Sequence, residues 1–219
     1  MERDFWLERW HANEIGFHQA EVNPWLKQLW PAMGVKPEQA VFVPLCGKSL
    51  DMLWLAEQGH RVIGVELAEV AVRAFFDEAG RNCRLERQRH LQRFTSDGIA
   101  IYCGDFMDLT ALHVGHVGAV YDRAALIALP EKMRAHYADH LQRIVPDGCR
   151  MLMLTLEYDQ SRVAGPPHSV PEAEVEALFG DRCRVERLRR EPARALPPKF
   201  AEAGVDDAVA AAYRVTKIR

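Results

Sequence analysis

A doubly wound α/β fold on a mostly parallel sheet is predicted by three features of this sequence. Short apolar runs alternate with longer helical stretches, the helical stretches stop at glycine, and proline or Asp-Gly turns stand between the units. The 219 residues suffice for one sizeable core and are short for two. With no internal repeat and no low-complexity linker, residues 1–219 read as a single domain.

The elements follow in order. Residues 3–33 read as helical or irregular and are unusually aromatic, with Trp6, Trp10, Phe17, Trp25 and Trp30. Trp6 and Trp10 are four apart, so on a helix they share one face, which either packs against the domain or covers a site. Ala40–Val43 is a short apolar run of the kind found in a buried parallel strand. A helix over 49–58 ends at Gly59, a second strand covers 61–66, and a helix over 68–79 stops at Gly80. The basic stretch 84–93 reads as a solvated connector, with anion binding as the sharper alternative. Ile99–Cys103 is a third strand, introduced by the turn Ser96-Asp97-Gly98. Strands over 119–121 and 151–156 enclose a helix from 131 to about 145, bounded by Pro130 and by Pro146-Asp147-Gly148. Two last strands, around 184–188 and 211–218, read as an antiparallel pair, because Pro192, Pro197 and Pro198 interrupt the segment between them and no crossover helix stands out.

Composition narrows the function. Hydrophobic residues make up 48% and charged residues 27%, an ordinary globular balance, and the formal charge of −3 gives no electrostatic reason to expect nucleic acid. No apolar run is long enough to cross a bilayer, and the charged, aromatic start Met1-Glu2-Arg3-Asp4-Phe5-Trp6 leads into no signal-peptide core. The five cysteines are scattered and never spaced as CxxC, which suits reduced thiols in a cytoplasm rather than disulfides or zinc. A cytoplasmic monomer is the expectation, without a membrane or nucleic-acid partner.

In an open parallel sheet, ligands bind beyond the carboxyl ends of the strands where strand order reverses. The first such loop is Pro44-Leu45-Cys46-Gly47-Lys48-Ser49. There Gly47 permits a tight turn and Ser49 can cap the helix that follows. Glu66 closes the second strand nineteen positions beyond Gly47, where a carboxylate can accept hydrogen bonds from both ribose hydroxyls. The bland alternative is a tight turn beside a surface glutamate. A dinucleotide fingerprint needs two further glycines for the pyrophosphate, so the loop suits a nucleoside ligand without phosphates. Asp105-Phe106 after the third strand can meet an adenine edge and face, or Asp105 can simply cap a helix. Arg123 after the fourth strand can orient an anion, or it can pair with Asp122. Cys46 has no histidine nearby and reads as packing. His136 and His140 stand four apart but lack a third ligand, so no metal site is expected.

Several segments together resemble the thiopurine S-methyltransferase family. They are Trp6-Leu7-Glu8-Arg9-Trp10, Gly16-Phe17-His18-Gln19, Val41-Phe42-Val43-Pro44-Leu45-Cys46-Gly47-Lys48-Ser49, Gly59 to Glu66, Tyr121-Asp122-Arg123-Ala124-Ala125-Leu126, and Gly165-Pro166-Pro167 with Val170-Pro171. The resemblance runs from about Trp6 almost to the C-terminus and is to the shorter, bacterial-type members. It implies a class I S-adenosylmethionine-dependent methyltransferase, Rossmann-like, with a mostly parallel seven-stranded sheet and an antiparallel C-terminal strand. It also implies S-adenosylmethionine contacts at Trp10, Leu45, Glu66 and Arg123, with Asp105 and Phe106 near the adenine. Phe17 and Arg123 would border a small-molecule acceptor, and the segment 1–33 would cover the site. The implied acceptors are thiopurines or related aromatic thiols, with selenium and tellurium oxyanions as a further class. Relatives carry a substrate-facing arginine near the C-terminus, where Arg194 is the nearest candidate and Pro197-Pro198 departs from the pattern. No side chain is assigned as a catalytic base, since a thiolate is already a strong nucleophile. A nicotinamide-dependent oxidoreductase and a non-catalytic nucleoside-binding regulator are the competing readings of the same topology.

Overall fold

The computed structural model describes residues 3–194 and 196–218. Residues 1, 2, 195 and 219 of the expected domain lie outside the described residues. The chain opens with α1 (Arg3–His11) and α2 (Pro24–Leu29). The alternating part follows as β1 (Ala40–Val43), α3 (Asp51–Glu57), β2 (Val62–Glu66), α4 (Glu69–Glu78), β3 (Arg84–Arg87), β4 (Gln92–Ser96) and β5 (Ile99–Cys103). Then come α5 (Ala111–Val114), β6 (Val117–Arg123), α6 (Glu131–Ile144), β7 (Arg150–Glu157), α7 (Glu172–Phe179), β8 (Cys183–Pro192), α8 (Pro198–Glu202) and β9 (Val209–Lys217).

One sheet takes all the strands in the order β3-β4-β5-β2-β1-β6-β7-β9-β8. The five central strands are parallel, while β3, β4, β9 and β8 pair antiparallel at the two ends. From β1 the chain builds outward through β2 and β5, then returns to add β6 on the other side. The crevice beyond β1 and β6 is therefore the topological switch point.

Period-2 alternation sends successive residues of each central strand to opposite faces. Ala40 and Phe42 join the core beneath α6 and α7, while Val41 and Val43 join the core beneath α3 and α4. Gly59 (φ +91°) and Gly80 (φ +63°) end α3 and α4 in left-handed turns, as expected. The N-terminal segment is pinned under the second face by the Trp30 indole, whose Nε1–H donates to His60 Nε2 at 2.9 Å. That bond leaves His60 Nδ1 to donate to the Gln39 carbonyl at 3.0 Å.

Among the described residues the sheet has nine strands rather than the expected seven. The difference is the hairpin β3–β4, which occupies much of the stretch read as a connector. Leu85 lies opposite Phe94 and both face the core, while Glu86 lies opposite Arg93 on the solvent face. Alternation was present, but the charges that protect an edge strand hid it. The antiparallel C-terminal pair β8–β9 forms as expected. A helix between β7 and β8 was missed. Pro171 stands at the N-cap of α7, Glu172 and Glu174 occupy its first turn, and Val175 and Phe179 are buried. The prolines near the end also start a helix rather than break one, with Pro198 opening α8.

Candidate active site

The loop after β1 crosses the switch point under constraint. Leu45 takes a left-handed φ of +46° and Gly47 one of +51°. A branched residue such as Leu45 is rarely held there unless its surroundings over-determine it. Here the Cys46 N–H donates to the Val65 carbonyl at 2.9 Å, tying the turn to β2. Trp10 reaches down from α1 so closely that a side chain at Gly47 would meet its ring at 3.1 Å. The close approach of an indole gives Gly47 a second reason to lack a Cβ. Cys46 is buried over Gly64, and burial, reinforced by the nearby Glu66 charge, pushes its thiol well up. It is a packing residue and no thiolate nucleophile.

Glu66 joins two loops. Its Oε2 accepts the Gly47 N–H at 2.9 Å and its Oε1 accepts the Ala68 N–H at 2.8 Å. Burial raises its carboxyl above the ordinary range, and the Ala68 and Gly47 N–H bonds offset part of that rise. Each oxygen keeps a further lone pair, so the carboxylate is a surface glutamate in neither position nor bonding.

After β5, the Gly104 N–H donates to the Glu66 carbonyl at 2.9 Å, which sets Asp105 beside the same crevice. Asp105 Oδ1 caps a short 3-10 turn by accepting the Met107 N–H at 2.9 Å, so the capping alternative is realised. The Phe106 ring is only 5% exposed and packs against Tyr137 and His140, with centroids 4.9 and 5.0 Å away. It belongs to the core and offers no open face to an adenine. His140 is thus committed to this packing rather than to a pair with His136, and among the described residues no group of side chains could hold a metal.

The end of β6 divides its residues by face. Asp122 points toward α6, accepting the Tyr137 hydroxyl at 2.7 Å and the Leu126 N–H at 3.1 Å, and burial pushes its carboxyl up to about 6. Arg123 points the other way. It does not pair with Asp122, because neighbours on a strand face opposite sides. Its partner is Asp51, whose Oδ2 accepts Arg123 Nε at 3.1 Å and Nη2 at 3.0 Å, with Ser49 Oγ accepting Nη2 at 3.3 Å. Burial pulls the guanidinium down, but the Asp51 charge together with Tyr121 and the hydrogen bonds to both more than offsets it, and Arg123 stays a cation.

Asp51 escaped sequence reading. A carboxylate in the first turn of a helix reads as a partner of the helix dipole, and no local pattern points to Arg123, which lies 72 positions away. Above the crevice, Phe17 stands edge-on to both Trp6 and Trp10, each pair at 5.4 Å, and its own ring is 40% exposed. The structure thus gathers Trp10, Phe17, Leu45, Glu66, Asp105 and Arg123 at one edge of the sheet. Arg194 is exposed, and among the described residues it has no ion pair. Two other C-terminal cations reach residues 1–33 directly: Arg189 lies over the Trp25 ring and bonds Gln28, and Arg214 Nη1 donates to the Ala32 carbonyl at 3.0 Å.

Taken together, a buried acidic strand end with spare lone pairs and a glycine turn without a phosphate cradle fit a nucleoside sulfonium better than a dinucleotide. The sequence matches the thiopurine S-methyltransferase (TPMT) family over residues 1–218. The chain belongs to the thiopurine S-methyltransferase family. Within that family it is similar to the thiopurine S-methyltransferase of Pseudomonas fluorescens (strain Pf0-1), at 47% identity over 98% of this chain and 99% of the relative. It is similar also to that of Pseudomonas entomophila (strain L48), at 48% identity over 99% of this chain and all of the relative. The fold resembles two solved methyltransferases. One is the 1,6-didemethyltoxoflavin-N1-methyltransferase of Burkholderia thailandensis, with a TM-score of 0.66 at 14% identity, covering 99% of this chain and 87% of the other. The other is the magnesium protoporphyrin IX methyltransferase of Synechocystis PCC 6803, with a TM-score of 0.66 at 13% identity, covering 98% and 99%. As a member of the family the chain is a methyltransferase that uses S-adenosylmethionine, and the oxidoreductase and regulator readings fall away.

Proposed function

We propose that this protein methylates the sulfur of thiopurines or related aromatic thiols, with Arg123 holding the anionic acceptor. The observation that carries the reading is a mostly buried guanidinium beside the Gly47–Glu66 crevice, with its Nε and Nη2 engaged and its Nη1 without a partner among the described residues. A planar cation with one free edge suits a delocalised thiolate ring. S-adenosylmethionine, when bound, supplies an activated methyl group on a sulfonium.

The chain's own residues position and exclude. Glu66 and Trp10 frame the cofactor side with Leu45 and the turn at Asp105-Phe106, whose Phe106 contributes backbone rather than an open ring. Phe17 and Arg123 border the acceptor side, and residues 1–33 cover both. Many thiopurines are partly thiolate near neutral pH, so no side chain need act as a base, and desolvation beneath Trp6, Trp10 and Phe17 strengthens the Arg123–acceptor attraction. The reading takes residues 1–219 as a single domain working as a cytoplasmic monomer on a small molecule. Among the described residues no helix is long and apolar enough to cross a membrane.

The test is a screen of 6-mercaptopurine, an aliphatic thiol, selenite and tellurite with labelled S-adenosylmethionine, run on wild type and Arg123→Lys. Thiopurine turnover that survives only in part in Arg123→Lys supports the reading, since lysine keeps the charge and loses the planar fork. Turnover of the aliphatic thiol or the oxyanions alone would assign the site to a different acceptor class.

A further inference from the structure

We propose that Asp51 is a positioning residue for the methyl acceptor, aiming the Arg123 guanidinium and tying that aim to the N-terminal cover through Asn23. The inference rests on the reading above that Arg123 meets an anionic acceptor.

Asp51 stands in the first turn of α3, where a carboxylate ordinarily caps or faces solvent. Here it is fully buried, and among the described residues it accepts no hydrogen bond from its own helix. Every donor it takes comes from elsewhere in the chain. Oδ2 accepts the Tyr121 hydroxyl at 3.0 Å together with Arg123 Nε and Nη2, and Oδ1 accepts the Asn23 backbone N–H at 2.8 Å. Tyr121 and Arg123 are two apart on β6 and so share its face, which lets one carboxylate collect both. Burial and then the Asp51 charge keep the Tyr121 phenol well above its ordinary range, so it stays a donor.

This arrangement orients the guanidinium. Pairing along the Nε–Nη2 edge fixes the plane of the group and leaves Nη1 on the far side, where it has no partner among the described residues. The same carboxylate holds the far end of the cover. Asn23 caps α2 by accepting the Trp25 N–H at 2.9 Å while giving its own N–H to Asp51. At the other end, Trp10 is buried against Ala68 and Ala71 and lies over Gly47. The segment between these two anchors carries Phe17 and His18. His18 feels the charges of Lys48, Glu78 and Arg123, which places it by the same mouth. Loosening Asp51 therefore disturbs the acceptor side, where Arg123 and the cover meet, and leaves the Glu66 side as it is.

The test compares wild type, Asp51→Asn, Asp51→Glu, Arg123→Ala and the Asp51→Asn/Arg123→Ala double variant. The measured quantities are kcat/KM for 6-mercaptopurine and for 2-mercaptoethanol, a thiol that stays protonated near neutral pH, and the calorimetric Kd of S-adenosylhomocysteine. Asp51→Asn should lower the 6-mercaptopurine value roughly tenfold to a hundredfold, as expected for a displaced positioning group. The S-adenosylhomocysteine Kd should stay within about twofold, as for an independent site. Asp51→Glu should restore part of the preference for the anionic acceptor, and the double variant should show the same acceptor ratio as Arg123→Ala alone.

Equal losses for both thiols and the cofactor product would overturn the inference in favour of a merely structural role, and so would an acceptor ratio in the double variant that multiplies the two single effects. If Asp51→Asn does not fold, Asp51→Glu decides, and a wild-type ratio there overturns the inference. A ratio lost in Arg123→Ala but kept in both Asp51 variants refutes the Asp51 assignment alone. A ratio unchanged in Arg123→Ala removes the Arg123 reading and this inference with it.

Discussion

Two buried carboxylates stand at the carboxyl edge of this sheet, one at the end of β2 and one at the start of α3, and they are held by different kinds of donor. Among the described residues Glu66, at the end of β2, takes neutral backbone N–H groups, chiefly from Gly47 and Ala68. Asp51 at the start of α3 takes a guanidinium, a phenol and a single backbone N–H. Neutral donors satisfy a carboxylate without cancelling its charge, so burial still pushes Glu66 up and leaves its remaining lone pairs to seek partners such as hydroxyls. A cation cancels the charge, and what the Asp51 cluster offers is the free edge of Arg123. One side of the crevice is thus built to accept hydrogen bonds and the other to present a positive plane. That division suits a neutral sugar on the first side and an anionic acceptor on the second.

Asp122 offers the strongest way to sharpen this contrast, because it too is held by neutral donors. An ordinary aspartate titrates near 3.9, and raising it to about 6 by burial corresponds to roughly 3 kcal/mol. The folded state favours the protonated acid, so this contribution is fully present below about pH 4 and is lost as pH rises toward 6. Urea unfolding of wild type and Asp122→Asn should show wild type losing up to about 3 kcal/mol relative to the variant between pH 4 and pH 7. A constant difference across that range would mean that the Tyr137 and Leu126 bonds fully compensate the burial.

The next effect concerns Glu66 itself. Glu66→Ala should weaken S-adenosylhomocysteine by about 1.5–3 kcal/mol, the scale of hydrogen bonds to a charged group, as read by calorimetry. An unchanged Kd in a folded variant would reduce Glu66 to a staple between two loops and erase the contrast with Asp51.

The smallest effect tests where the cover meets the turn. Gly47→Ala places a methyl 3.1 Å from the Trp10 ring in a left-handed backbone, and should cost about 1 kcal/mol in stability. Trp10 fluorescence should change with it. Unaltered stability and emission would show that α1 lifts freely from the loop.

Most of the sheet could be read along the chain because parallel strands buried on both faces are continuous apolar runs, as in Ala40–Val43 and Ile99–Cys103. The hairpin β3–β4 could not, since Leu85 and Phe94 are the single apolar residues of their strands, set among charged and polar neighbours. α7 and α8 were obscured by prolines that start helices as readily as they stop them. At the site, Glu66 and Gly47 were legible because their spacing reflects one turn and one crossover helix.

By itself the sequence determined the alternation of strand and helix, the switch-point loop with its acidic strand end, and the family to which the chain belongs. Those are local or colinear properties, set by period, by turn chemistry and by motifs in order. Only the tertiary structure decided that Phe106 turns into the core, that Arg123 pairs with Asp51 rather than Asp122, and that Asp51 also holds Asn23. The physical reason is that side chains adjacent in sequence on a strand are sent to opposite faces. A partner is then chosen by what packs against each face, and for Arg123 that partner arrives from a helix 72 positions earlier in the chain.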